Sequence, residues 1–541
     1  MTPVTDLRAA VQAAVTALAR DGVRSAPTLE RPKQADHGDY ATNAALMLAP
    51  VLKAPPRDVA ERLGGVLQEQ LGDTLDHVEV AGPGFLNLFL ADAWYARALD
   101  WVLASGDGFG AGAPETPLRV NLEFVSANPT GPMTAASARH AAYGDALARI
   151  LQHAGHEVTR EYYFNDAGTQ IENLAKSIQA RARGEEPPED GYPGDYVREL
   201  AAEIGGAADR DLAELQHSGV ELMFARIKAT LHAYRVDYDV FFSERTLHEG
   251  SPSGIERALE ALSAQNRLYR SEGALWLRTT EFGDDKDRVL ERSTGQTTYF
   301  AADVAYAENK IDRGFDKLII PLGADHHGYI GRMQAMMAAI GAGGDRLEIP
   351  ILQFVHLVEG SARASMSKRR GDFVTLDDLI EQIGVDAARF FMLNRSHEST
   401  VDLDLDLARE QSSENPVYYV QYAHARIASV RRKAGEERVA AALAGAAPPP
   451  GALHPSERAL VKKLLGFPDE VAEAAERRAP HRIAVYALEL AQVFTAFYRD
   501  CQVVGVEPAA LEDWRLRLSV AAQRTIAAAL GLLGVTAPEE M

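Results

Sequence analysis

With one cysteine, Cys501, in 541 residues, the chain excludes an internal disulfide framework and any cluster of cysteine-bound metal. A reducing cytoplasm is the expected setting. No run of about 18 apolar residues occurs, so no membrane-spanning helix is expected. The N-terminus also lacks an apolar signal core; Leu7, Val11, Val15 and Leu18 are instead spaced as one face of an ordinary helix. Nor is there an excess of positive charge, since 56 lysines and arginines face 77 aspartates and glutamates for a formal charge of −21. Indiscriminate binding to nucleic acid, which needs clustered cations against phosphate, is thereby disfavoured. An RNA read through its shape and loops stays open, because that needs local basic patches and stacking surfaces rather than overall positive charge. So does the plainer reading that an acidic surface keeps a cytosolic enzyme in solution. A GxxxxGK[ST] phosphate loop is missing too.

At this length two to four domains are expected, with a large buried interior. The stretch 118–163 reads as strand, polar turn, helix, strand. Leu118 to Val125 is apolar and β-branched, Asn128, Pro129, Thr130, Gly131 and Pro132 break it, Leu147, Ile150, Leu151 and Ala154 recur at helical spacing, and Gly155 closes the helix. Such a βαβ unit puts its turn at the carboxyl edge of a parallel sheet, where the N–H groups that open the helix suit an anion such as phosphate. The turn itself, EFVSANPTGP from Glu123 to Pro132, closely resembles the signature that opens the catalytic domain of arginyl-tRNA synthetases, a class I aminoacyl-tRNA synthetase family.

The resemblance runs from about residue 36 to the C-terminus and implies an α/β architecture in three parts. Residues 1–112 read as a small α/β domain, with HGDYATNAAL from His37 heading a helix and VEVAGPGFLNLFL forming two strands about a Gly-Pro turn. In the family this domain meets the elbow of the tRNA, which marks Tyr40 as a tRNA contact; on composition alone His37, Asp39 and Tyr40 read as a helix cap and turn. After the linker Gly106 to Pro117, residues 113–405 form the Rossmann-like parallel-sheet catalytic domain, with a helical insertion at about 172–250 that begins beyond the FNDAGTQI motif, Phe164 to Ile171. Strands are expected at Leu275 to Thr280, Lys317 to Leu322 and Ile351 to Val358, and Met333, Met336, Met337 and Ile340 form a core stripe. Asp402, Asp404 and Asp406 alternate as in a calcium loop, but Leu407 and Ser413 stand where that loop needs Gly and Glu, so an exposed extended stretch is the better reading. Residues 406–541 read as an all-α domain, interrupted by the surface loop AGAAPPPGALHP. Its first helix carries Tyr418, Tyr422 and Arg426, a pattern that suits either bases stacked on aromatics or tyrosines packed inward; the resemblance to the family's anticodon-binding domain implies the former.

A free arginine needs carboxylates for its guanidinium and a partner for its α-amino group. The resemblance implies that Glu123, Ser126, Asn128, Tyr299 and Asp303 hold it, Tyr299 and Asp303 sharing a helix face at i, i+4. Without it, Asp303 reads as a helix opener and Tyr299 as core. For ATP, the implied contacts are Pro129, Thr130 and Gly131, then Gly323, Asp325, His326 and His327 of GADHHGYIGR, then Met366 and Ser367. Adjacent histidines with no further ligand nearby do not make a metal site, so no protein-held metal is expected and Mg²⁺ is expected only with the ATP phosphates. SMSKRRGDFVTLDDLI, from Ser365, resembles the family's Lys-Met-Ser-Lys loop with Ser365 in place of the first lysine and Lys368 keeping the second, where a cation follows charge as pyrophosphate departs. The larger departure is at the helix start. Class I enzymes carry His-x-Gly-His there, and this chain has Thr134, Ala135, Ala136 and Ser137. Thr134, Ser137 and His140 lie three apart on one stripe, so their hydroxyls and imidazole are the candidate catalytic replacements, with Lys368. The expected activity is ATP-dependent ligation of L-arginine to tRNA by a cytoplasmic monomer. The alternative is a catalytically silent relative that binds tRNA or arginine in a regulatory role.

Overall fold

The computed structural model describes residues 2–19, 25–32, 34, 37–360, 374–445 and 451–541, with the backbone of 362–363. Five parallel strands form the central sheet, in the order Leu347–Glu348, Lys317–Ile319, Arg119–Glu123, Glu157–Phe164, Val240–Ser243. Chain order reverses between Arg119–Glu123 and Lys317–Ile319, so the crevice at their carboxyl ends is the switch point at which doubly wound sheets take ligands. The helix Ala135–His153 crosses over between the first two strands as the 118–163 pattern predicts, and Gly155 follows it at φ +92°. Its buried face includes Leu147, Ile150 and Leu151.

The helical stretch beyond the second strand is Thr169–Ala182, Asp195–Glu203 and Leu212–Ala233. Here the expectation of an insertion reaching about residue 250 needs correction, because Val240–Ser243 pairs with Glu157–Phe164 as the sheet's edge strand. Leu275 also falls outside the central sheet, in a small antiparallel one made of Leu268–Ser271, Ala274–Leu277 and Arg288–Glu291. Met336 and Met337 are buried as the stripe predicts. In the aspartate run, Asp402 is exposed, but Asp404 caps the short helix Leu405–Arg409 by accepting from the N–H groups of Asp406 and Leu407.

Ahead of the sheet, Tyr40–Thr42, Phe85–Leu90 and Leu75–Ala81 form an antiparallel sheet packed on helices. Two readings of this region change. Tyr40 pairs with Leu88 on the inner face, is 2% exposed and meets Trp94 edge to face, so it offers no surface to an RNA. Asp39 caps no helix; it is buried, accepts from Leu90 N at 2.7 Å and Tyr95 Oη at 2.5 Å, and pairs with Lys462 of the C-terminal helices. Those helices are Pro416–Ala434, Glu436–Ala444, Pro455–Leu464, Phe467–Glu476, His481–Asp500 and Ala509–Leu532. Two further pairs, Asp92 with Arg458 and Asp100 with Arg517, join the N-terminal region to them. A single apolar cluster runs through all three regions, and a second lies beneath the helices Tyr299–Asp312 and Ile330–Ala339.

Candidate active site

The turn that leaves Glu123 is sharp. Val125 and Ser126 hold φ of +70° and +45°, a region that a β-branched residue enters only when its surroundings force it. The clamp is Tyr162, whose hydroxyl accepts from Ala127 N at 3.1 Å and donates to Ala127 O at 2.8 Å. Ser126 Oγ adds a second tie, accepting from Tyr163 N at 3.1 Å and donating to Glu123 Oε1 at 3.0 Å. At the far end of the turn, Ala135 N donates to Val374 O at 2.9 Å and Leu376 N to Met133 O at 2.8 Å. The strand-like pairing of Thr134 with Thr375 pins the residue range that follows the basic loop against the helix start. This amends the expected anion site, since the Ala135 N–H is taken by Val374 and the Ser137 N–H by Thr134 O. Met366, Ser367 and Lys368 lie outside the described residues.

One pocket of about 350 Å³ opens on this edge, lined by Asn128, Tyr163, Asn165, Ala167, Gln170, Glu244, Tyr299 and Asp303. Asn128 Nδ2 donates to Gln170 Oε1 at 2.7 Å and its Oδ1 accepts from Asn165 N at 3.2 Å, so the side chain is fixed before any ligand arrives. Tyr299 stands at the mouth, 71% exposed. Asp303, one turn on, is exposed at the pocket. Partial desolvation by the protein packed around the pocket, with the charges of Glu244 and Glu123, pushes its carboxyl up to about 7, and Arg332 offsets only part of the effect. Glu244 is buried and accepts from Tyr163 Oη at 2.6 Å. The structure thus brings Asn128, Tyr299 and Asp303 together and adds Tyr163, Asn165, Gln170 and Glu244. Asn165 and Gln170 lie in the FNDAGTQI motif, whereas Glu244 carries no local signal.

Glu123 is placed differently from these. It is buried, and Oε2 accepts from Lys310 Nζ at 2.5 Å.

A second space, also about 350 Å³, shares Asn128 and Gln170 with the first and is lined further by Thr130, Gly131, Thr134, Ser137, Tyr192 and Tyr196. Thr134 Oγ1 lies 3.3 Å from Ser137 Oγ. Tyr196 Oη, from the helical stretch, donates to Thr130 O at 2.8 Å. His140 sits apart from the two hydroxyls, facing the loop after Leu322–Gly323; a Cβ on Gly323 would lie 3.9 Å from its Nε2. Burial, with Arg139 beside it, pushes the imidazole down to about 4 against the pull of Asp325, so the ring is neutral near pH 7. Asp325, His326 and His327 are exposed on that loop, with His326 Nε2 3.5 Å from Asp325 Oδ2. Among the described residues no group of three or more His, Cys, Asp or Glu is arranged to hold a metal ion.

Comparison with known proteins decides the family. The chain is 47% identical, over the full length of both, to the arginine–tRNA ligase of Frankia alni. This chain belongs to the arginyl-tRNA synthetase family. Its sequence is also 46% identical over the full length of both chains to the arginine–tRNA ligase of Kineococcus radiotolerans. Three family models match, described as the arginyl tRNA synthetase N terminal domain over residues 5–90, the class I (R) tRNA synthetase catalytic domain over 214–429, and the DALR anticodon binding domain over 420–541. The arginyl-tRNA synthetase of Thermus thermophilus superposes with a TM-score of 0.75 at 25% identity, covering 99% of this chain and 100% of that one. The class I fold, with a parallel sheet between an N-terminal domain and a C-terminal helical one, is therefore that of the arginyl-tRNA synthetases.

On the helical region of this synthetase, Tyr418 and Tyr422 stack with centroids 6.1 Å apart, and the Arg426 guanidinium lies 4.7 Å over the Tyr422 ring. The opposite face of the same helix turns inward, where His424 is buried and its Nδ1 lies 2.8 Å from Pro538 O. Tyr422 is therefore exposed, and Tyr418 half-buried, on the face away from that packing. No helix among the described residues is long and apolar enough to cross a membrane.

Proposed function

We propose that the chain is an arginine–tRNA ligase that uses ATP to activate L-arginine and transfers it to tRNA. In the first step the arginine carboxylate attacks the α-phosphorus, forming arginyl-adenylate and releasing pyrophosphate. In the second, a terminal ribose hydroxyl of the tRNA attacks the carbonyl carbon and AMP leaves. Neither step needs a side-chain nucleophile; both need positioning and a field that meets developing charge.

The arginine enters the Asn128 pocket. Among the described residues Asp303 has no ion-pair partner and Glu244 only His248, at 3.8 Å; the two carboxylates meet the cationic side chain under Tyr299, and Asn128, on the turn that Ser126 ties down, orients the α-amino end. ATP lies along the turn Pro129 to Gly131, with its ribose toward Gly323, Asp325, His326 and His327 and its phosphates beside Thr134 and Ser137. Those hydroxyls stand in for the missing imidazoles, the neutral His140 acts from beside Gly323, Lys368 meets the charge of the leaving pyrophosphate, and Met366 and Ser367 contact ATP. Mg²⁺ accompanies the phosphates. Tyr418, Tyr422 and Arg426 supply a stacking surface for the anticodon loop. We read the enzyme as a cytoplasmic monomer.

The observation that carries this reading is an acidic pocket, closed by Asp303 and Glu244, at the switch point of the sheet and beside the NPTGP turn of a full-length relative of arginine–tRNA ligases. Charging of tRNA with labelled arginine, with and without ATP, tests it. Arginine-specific, ATP-dependent charging is the expected result; tRNA binding without charging would leave the silent relative.

A further inference from the structure

The stripe of the Tyr299–Asp312 helix that carries Tyr299 and Asp303 continues inward with Tyr306 and Lys310. Lys310 is 1% exposed, yet it is a cation; its Nζ donates to Glu123 Oε2 at 2.5 Å and lies 4.3 Å from the centroid of the Tyr306 ring. Beneath it, Glu161 accepts from Arg313 Nη1 at 2.6 Å and Nη2 at 2.9 Å, and from the Tyr306 hydroxyl. The two buried acids, Glu123 and Glu161, are thus matched one for one by Lys310 and Arg313. A chamber of about 150 Å³, with Lys310 in its wall, adjoins the arginine pocket, since Tyr163 and Asp303 line both.

We propose that Lys310 is a positioning residue for arginine recognition: as a fixed internal cation on Glu123, it confines the pocket's free negative charge to Asp303 and Glu244 and bars a longer cationic side chain from the chamber beyond. This rests on the arginine-ligase reading above. Asp303 is faced by Glu123, Tyr163 and Glu244 from the sheet side and by Arg332 from the neighbouring helix. Lys310 is faced by Glu123 and Glu161. Without Lys310, Glu123 has two courses. If it stays ionised, its charge falls undiminished on Asp303. If it takes up a proton, that proton must leave when a guanidinium binds. Either course links arginine binding to proton release at a higher pH.

Arginine binding to the full chain is to be followed by titration calorimetry from pH 5.5 to 9, for the native sequence, Lys310→Met and Glu123→Gln/Lys310→Met. In Lys310→Met the pH at which arginine affinity is half lost moves up by about one unit, the size expected for one unpaired charge a few ångströms away. The double variant, which removes the pair together, returns that midpoint toward the native value and loses at least tenfold in its preference for arginine over homoarginine. A folded Lys310→Met with the native midpoint overturns the proposal. Should that variant fail to fold, an unchanged preference in the double variant overturns it equally. Absence of arginine binding by the native chain at every pH would instead remove the ligase reading.

Discussion

Asp145 and Asp303 sit on helices that flank the same sheet, and their surroundings could hardly differ more. Asp145, on the helix that opens at Thr134, is 1% exposed and accepts from Arg389 Nη2 at 2.5 Å and Arg149 Nε at 2.7 Å, with Arg160 at 3.6 Å. Arg389 is itself fully buried and spends its other N–H groups on Leu533 O, Tyr234 O and Arg235 O, so that one guanidinium ties the C-terminal end to the catalytic helices. Gly534 lies against it at φ +68°, where a Cβ would come within 2.2 Å of Arg389 Nη2; no other residue fits. Asp303 has no cation within ion-pair distance among the described residues and is pushed up to about 7. A buried carboxylate with its charge answered holds the architecture. An exposed one at a pocket, with its charge unanswered, is open to a cation from outside.

The strongest test of that contrast is Arg389→Met. It leaves Asp145 short of its main partner and three carbonyls without a donor, and breaking a buried pair from one side costs about 3–5 kcal/mol. Thermal denaturation should show a large fall in melting temperature, and an unchanged one would end the distinction. Asp303→Asn should do the reverse. Stability holds or improves slightly, while kcat/KM for arginine falls by roughly 2–4 kcal/mol, about thirty- to a thousand-fold, as expected for a lost charged partner. The pH dependence follows with its sign. Because the folded-state value of Asp303 is raised, its ionisation destabilises the fold increasingly as pH rises from the usual carboxylate range to about 7, and bound arginine relieves that penalty. KM for arginine should therefore rise as pH falls through about 7, and a KM flat from pH 6 to 8 would count against the assignment.

Smaller effects sharpen the comparison at the other two surfaces. Tyr422→Ala removes one stacking ring, worth about 1–3 kcal/mol, and should raise KM for tRNA while leaving arginine binding alone. Ser137→Ala should lower kcat by roughly tenfold with little change in either KM, since it removes one hydroxyl, worth about one hydrogen bond, from the wall proposed to face the phosphates and leaves Thr134 in place. Steady-state charging kinetics separates the two.

What was legible in the chain was what its chemistry concentrates locally. The turn from Glu123 to Pro132, the helix after it and the Tyr299–Asp303 pair are each contiguous or one helical turn apart, and the fold puts Asn128, Tyr299 and Asp303 around one pocket. Glu244 and Lys310 went unread because neither belongs to a local pattern; each becomes meaningful only when a strand or helix from elsewhere sets it beside Tyr163 or Glu123. Tyr40 shows the same limit. The family resemblance marks it as a tRNA contact and composition as part of a cap and turn, but its strand partner, Phe85–Leu90, sets the ring inward against Trp94.

By itself, then, the order of residues determined a strand, a polar turn and a helix at 118–163, the family those residues belong to, and the loss of both signature imidazoles at Thr134 and Ser137. Periodicity and backbone preference act over a few residues, and they suffice for that. Which carboxylates are free to meet a substrate was decided only in three dimensions. The charge a buried acid presents depends on the cations packed within a few ångströms of it, and for Glu123, Glu161 and Asp145 those cations come from distant parts of the chain.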